Sequence, residues 1–144
     1  MGRECAIHKL VADVAIFSHH RVLLAKYRDV ARYDGQRGWF LPDDFLVHAE
    51  HPEEAAKRIA KEQAGLSIRT VRLAQVESFS NGAWHLIFHY RADFQNAPNT
   101  RPGPNLAALQ WFDRSKLPPR MECAHDGWAI DVLESMEEKG SRKR

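Results

Sequence analysis

At 144 residues the chain is long enough for one domain with its own hydrophobic core and short for two. Its 44% apolar and 28% charged composition is that of a globular protein and excludes a disordered or fibrous one. A net charge of +2 supplies no field for steering toward nucleic acid, and apolar runs no longer than a strand exclude a transmembrane helix.

Taken in chain order, Met1-Gly2-Arg3-Glu4-Cys5 leads into no long apolar stretch with a cleavage site, so no signal peptide is expected. Cys5 and Cys123 stand near opposite ends in no metal-type spacing, and a reduced, cytoplasmic protein is the expectation. Leu10, Ala12, Val14 and Ile16 recur at period two, the mark of a half-buried strand. Ser18-His19-His20 turns it into a second run, Val22-Leu23-Leu24-Ala25. Basic residues then gather as Arg21, Lys26, Arg28, Arg32 and Arg37, before a short apolar strand, Trp39-Phe40-Leu41. Pro52 suits the first turn of a helix, Glu53 and Glu54 complement the positive end of its dipole, and Gly65 closes it. Two longer strands, at 68–79 and 84–94, flank Ser80-Asn81-Gly82-Ala83, where Asn-Gly signals a hairpin. A loop over 95–105 leads to the apolar run Leu106 to Phe112. The last helix, about 126–139, carries Trp128, Val132, Leu133 and Met136 at helical spacing on a core-facing side. One domain over 1–140 and a basic, disordered tail at 141–144 follow from this reading.

The segment 39–66 resembles the Nudix box, in which a glycine, a glutamate after five intervening residues, and, after seven more, a helical Arg-Glu-aliphatic-any-Glu-Glu-any-Gly-aliphatic run organise phosphate chemistry. Glu50, Arg58, Ala60, Glu62, Gly65 and Leu66 fit that pattern, whereas Asp44 replaces the glycine, Ile59 the first helical glutamate and Gln63 the last. The segment 109–118 is a weaker echo of the family. The resemblance implies an α/β fold, a Nudix-type α/β/α sandwich with a mixed β-sheet. It also implies a site in which helical carboxylates hold Mg²⁺ against a diphosphate. Positions i, i+3 and i+4 project from one side of a helix, so 59, 62 and 63 are expected to form one patch. Here that patch has one carboxylate in place of three.

Glu50, Arg58 and Glu62 are the catalytic candidates by this resemblance, and Glu62 with Gln63 the candidate ligands of a weakly held Mg²⁺. Glu50 and Arg58 also read as a structural ion pair, Glu62 as a surface partner of Arg58, and Gln63 as a helix-surface residue. Asp43 and Asp44 stand as substitute ligands or as charges that oppose a diphosphate. Arg28, Arg37 and Trp39 are the substrate-binding candidates, being next to the box. Among the eight histidines, His85 and His89 share a strand face about 13 Å apart, too far to hold one ion, while His48 and His51 flank Glu50 as bases or as plain loop residues.

Three functions remain open. The first is a domain with weak or absent Mg²⁺-dependent pyrophosphohydrolase activity that binds a nucleotide-like or phosphorylated small molecule, or a partner. The second is an active, atypical hydrolase of a nucleoside diphosphate derivative such as a nucleotide sugar. Arg58-Ile59 is similar to the GDP-mannose mannosyl hydrolase branch there, but loop 95–105 lacks a histidine. The third is an interaction domain with a closed pocket. No nucleic-acid motif or membrane segment is present, and a homodimer is compatible with the resemblance.

Overall fold

In the computed structural model, which describes residues 8–142, a mixed six-stranded sheet lies between two helices. The strands are β1 (His8–Ser18), β2 (Arg21–Tyr27), β3 (Asp43–Phe45), β4 (Arg72–Ser80), β5 (Trp84–Phe94) and β6 (Leu106–Asp113). Their order is β4-β5-β1-β2-β6, with β3 paired to β1 off that path. The expected α/β/α sandwich is the fold observed. Among the described residues no helix is long and apolar enough to cross a membrane.

β1 is not the half-buried strand that its alternation suggests. Only its first residues alternate in exposure, and residues 12–18 are buried throughout. The cause is its central place: it runs parallel to β5 over its full length, turns into β2 through His19 and His20, and receives β3. A strand covered on both faces becomes continuously buried. Ala12, Val14 and Ile16 pack on one side with Ala55, Ala56, Ile59, Ala60 and Ala64 of α1 (Pro52–Ala64). Ala15 and Phe17 pack on the other with Ala129, Val132, Leu133 and Met136 of α2 (Ala124–Arg142). Neighbouring side chains on a strand point to opposite faces, so each helix covers its own side of the sheet.

Local chemistry sets the ends of α1. Pro52 occupies the first turn, as expected, and His51 is the N-cap: its Nδ1 accepts from the Glu53 N–H at 3.0 Å. Gly65 adopts the left-handed conformation (φ 71°), its N–H donating to the Lys61 carbonyl at 3.0 Å. The hairpin at 81–83 forms as its Asn-Gly predicts, but residues 68–71 stay outside the ladder and β4 begins at Arg72. Val71 is instead drawn into the core under α1. Trp39-Phe40-Leu41 is likewise no ladder strand. It makes only two bridges, Phe40 to Ala25 and Trp39 to Cys123, before Pro42, which has no N–H to extend a ladder. α2 opens on a left-handed turn, with φ of 53°, 51° and 94° at His125, Asp126 and Gly127, and continues through Arg142. Of the tail expected at 141–144, Lys143 and Arg144 lie outside the described residues, as does Cys5.

Candidate functional site

Arg58 is the hub of the box. Its Nε donates to Glu50 Oε2 at 2.9 Å and Nη2 to Glu50 Oε1 at 3.1 Å, a two-pronged pairing that suits the planar guanidinium. Nη1 donates to Asp44 Oδ2 at 3.2 Å and to Glu62 Oε1 at 3.0 Å, and Nη2 also to the Phe45 carbonyl at 3.0 Å. Glu50 Oε1 in addition accepts from the Val47 N–H at 3.0 Å. The hydrogen bonds from Arg58, opposed by partial burial, hold the Glu50 carboxyl below its ordinary range, and Glu50 in turn raises the guanidinium. Both pairs read from the sequence, Glu50 with Arg58 and Arg58 with Glu62, are thus formed.

The expected patch at 59, 62 and 63 does not form on the surface. Ile59 is fully buried in the core beneath α1, and Gln63 is buried as well. Gln63 Oε1 accepts from the Tyr27 hydroxyl at 2.7 Å, and its Nε2 donates to the Asp43 carbonyl at 2.8 Å. Glu62 alone is exposed. At 3.6 residues per turn, Glu62 sits about 60° to one side of Ile59 and Gln63 about 40° to the other. The sheet takes the Ile59–Gln63 side, so a spacing that allows one patch is divided between core and solvent.

This arrangement does not fit Mg²⁺, which takes hard oxygen ligands in near-octahedral geometry. Ile59 offers none, the Gln63 oxygen is engaged by Tyr27, and Glu50, Asp44 and Glu62 all face the Arg58 guanidinium. Asp43 is no substitute: burial, then its acidic neighbours Asp13 and Asp44, push its carboxyl well above the ordinary range, toward the neutral form. Among the described residues no group of three or more His, Cys, Asp or Glu is placed to hold a metal ion.

Beside the box opens a cleft of about 480 Å³. Loop 30–36 contributes Arg32, Tyr33, Asp34 and Gln36, the β4–β5 hairpin Phe79, Asn81 and His85, and the start of α2 His125 and Trp128. Asp43, Asp44 and Phe45 form the side next to α1. The aromatic rings are ordered: Phe79 stacks on His85 with centroids 4.8 Å apart, and Tyr27 on Tyr33 at 3.7 Å. Arg28, Arg37 and Trp39 are not among the lining residues. Arg28 donates from Nε to the Leu106 carbonyl at 3.0 Å, and Arg37 is exposed. Trp39 is buried against Phe112, with Lys26 Nζ 4.6 Å from its ring centre. The cation that does reach the cleft from this loop is Arg32.

Sequence reasoning also missed a polar chain that crosses the sheet beneath the cleft. His89 Nδ1 lies 2.8 Å from Asp13 Oδ2, both fully buried, and His89 Nε2 lies 2.6 Å from Glu77 Oε1, which also accepts from Trp128 Nε1 at 3.2 Å. Burial by itself would lower the imidazole, but Asp13 and Glu77 outweigh it and lift His89 to about 10. Burial raises the Asp13 carboxyl, and His89 pulls against it. The available signal was polar residues inside strand runs otherwise apolar: Asp13 in Val11 to Phe17 and His89 in Leu86 to Tyr90. His51 caps α1 and His48 is exposed, while His85 stays apart from His89 as the spacing requires.

The family model of the NUDIX domain matches residues 7–131. The chain belongs to this family. No curated protein matches it significantly. Among solved structures, a MutT NUDIX hydrolase from Burkholderia pseudomallei is 22% identical, with a TM-score of 0.71 over 90% of this chain and 96% of that one. The NUDIX domain of Shewanella oneidensis NrtR, complexed with ADP ribose, is 16% identical, with a TM-score of 0.74 over 95% and 90%. A bifunctional NMN adenylyltransferase/ADP ribose pyrophosphatase from Francisella tularensis, complexed with AMP and Mn ion, is 15% identical, with a TM-score of 0.71 over 93% of this NUDIX chain. This chain spans 43% of the length of that last protein. What the three share with it at these identities is the fold.

Proposed function

We propose that this NUDIX domain binds a nucleotide-like ligand bearing phosphate, of the ADP-ribose class, in the cleft beside its box, with weak or absent hydrolysis. The observation that carries the reading is the internal consumption of the box: Arg58 holds Glu50, Asp44 and Glu62, and Ile59 lies in the core. Binding is supported separately. About 480 Å³ is within the range of small-molecule sites, and the cleft pairs aromatic faces with the cations Lys9 and Arg32. That Ile59 and the aromatics leave the cleft open speaks against an interaction domain with a closed pocket. The ADP ribose and the AMP bound in the complexes of two structural relatives support the ligand class.

Calorimetry of the full chain with ADP-ribose and ADP, in EDTA and then in Mg²⁺, tests both halves of this reading when combined with a turnover assay in Mg²⁺ and Mn²⁺. Micromolar binding in EDTA, Mg²⁺ binding no tighter than millimolar, and turnover far below ordinary enzymatic rates are expected. Cleavage at about 1 s⁻¹ or faster would overturn the hydrolysis half. Ligand binding that appears only with Mg²⁺ would overturn the idea that the box is spent on internal pairs.

A further inference from the structure

Asp34 is placed as a ligand would be. It follows the short 3₁₀ turn Val30–Tyr33 in left-handed conformation (φ 58°), and its carboxylate lies between two elements far apart in sequence. Oδ1 is 3.3 Å from Lys9 Nζ at the start of β1, and Oδ2 is 3.3 Å from His125 Nε2 at the start of α2. The same stretch carries Arg32, whose Nη2 lies 3.5 Å from Asp44 Oδ1. All these side chains line the cleft. His125 is steadied there by its N–H, which donates to Gln36 Oε1 at 2.8 Å, and by the rings of Phe40 and Trp128. Three nitrogen-bearing side chains therefore converge on the cleft, and each is answered by a carboxylate of the chain itself.

We propose that Lys9, Arg32 and His125 form the site for the ligand's phosphate group, and that Asp34 is an internal anion that this phosphate displaces. The proposal rests on the reading of the cleft as a nucleotide site and moves the phosphate from the carboxylates of the box helix to side chains of β1, loop 30–36 and the start of α2. Exchange is physically reasonable on charge. A phosphate brings more negative charge and more acceptor oxygens than one carboxylate, and Lys and Arg are suited to both. The pairs it replaces are weak, because Lys9, Asp34 and His125 are each a third or more exposed, and exposed ion pairs contribute little. The other acids beside the site oppose a phosphate less than their number suggests. Asp44 is paired with Arg58 and Arg32, and burial holds Asp43 toward its neutral form. Such a site needs no metal, consistent with a box whose carboxylates are already engaged.

The test uses inorganic pyrophosphate and ADP-ribose separately, in EDTA, followed by calorimetry and by the His125 imidazole resonances in NMR. Asp34→Asn removes the internal anion yet suits the backbone, since asparagine tolerates positive φ. It should bind pyrophosphate about three- to tenfold more tightly than the natural chain, the scale of releasing two exposed pairs. Lys9→Met and Arg32→Met should each weaken binding by a similar factor. Asp93→Asn, which removes the same charge eight residues along β5 from the cleft-lining His85, about 26 Å away and well beyond a Debye length, should alter it less than about twofold. Unchanged or weaker pyrophosphate binding in Asp34→Asn, or an equal gain in Asp93→Asn, would overturn the displacement. Pyrophosphate binding with this pattern but no added affinity for ADP-ribose would leave the phosphate site standing and overturn the nucleotide reading. ADP-ribose binding insensitive to Lys9, Arg32 and Asp34 would do the reverse, and binding of neither probe would overturn both.

Discussion

Ile59→Glu restores the family's first helical carboxylate, and the structure makes it a core substitution. Ile59 is fully buried, packed with Ala12, Val14 and Ile16 of the central strand. Replacing it loses about 2 kcal/mol of apolar burial. The new carboxyl must then either be buried charged or take up a proton. Protonation at pH 7 of an acid whose ordinary value is near 4.3 costs about 1.4 kcal/mol per pH unit, or about 4 kcal/mol. Allowing the helix to relax and expose part of the side chain, a net loss of about 4 kcal/mol is expected. For a domain of this length that is a fall of roughly 12–16 °C in Tm. Calorimetric melts in EDTA at pH 7 measure it, with Ile59→Val, at about 1 kcal/mol, as the control for packing alone. The sign with pH is fixed: burial raises the folded-state pKa of the introduced acid, so the deficit must shrink as pH falls from 8 to 5. A Tm within about 2 °C of the natural chain, or a rise in Tm without metal, would refute the placement of position 59 in the core.

Two further substitutions probe the ion networks. His89→Gln should destabilise by about 3–5 kcal/mol near pH 6, because it leaves Asp13 buried without its partner. His89 is lifted from 6.5 to about 10, so its contribution is complete below about 6.5 and is lost as pH rises through about 10; urea melts should show the gap between the two proteins narrowing over that window. Arg58→Met should cost about 2–3 kcal/mol at pH 7, somewhat less than a fully buried pair, since the side chains of Arg58 and Glu50 are 22% and 16% exposed. Glu50 is held below its ordinary 4.5, so this contribution is present above that pH and lost below it, and urea melts at pH 7 and pH 3 should differ in the gap; an equal gap at both would contradict the pairing.

Much of this protein is legible where the physics is local. Pro52 and Gly65 bound α1 because a ring without an N–H and a residue free to adopt positive φ act on their own turns. Asn81-Gly82 sets the hairpin for a similar reason. The Glu50–Arg58–Glu62 pairing could be read from helical spacing and a family pattern that spans only nine residues from Glu50 to Arg58. The features left unread depend on groups far apart in sequence, or on how an element is rotated against its neighbours. Periodicity places 59, 62 and 63 on adjoining parts of a helix, but a rotation of some tens of degrees decides which of them meets the sheet, and packing against β1 sets that rotation. Asp13 and His89 are 76 residues apart and become neighbours only because β1 and β5 run parallel and in register. The cleft gathers Lys9, Asp34 and His125 from a strand end, a loop and a helix start. Trp39, one of the three substrate-binding candidates next to the box, is instead taken into the core when its backbone bridges Cys123. Charge and turn chemistry travel with the residues themselves, whereas burial and the meeting of distant side chains exist only once the sheet has closed between its two helices.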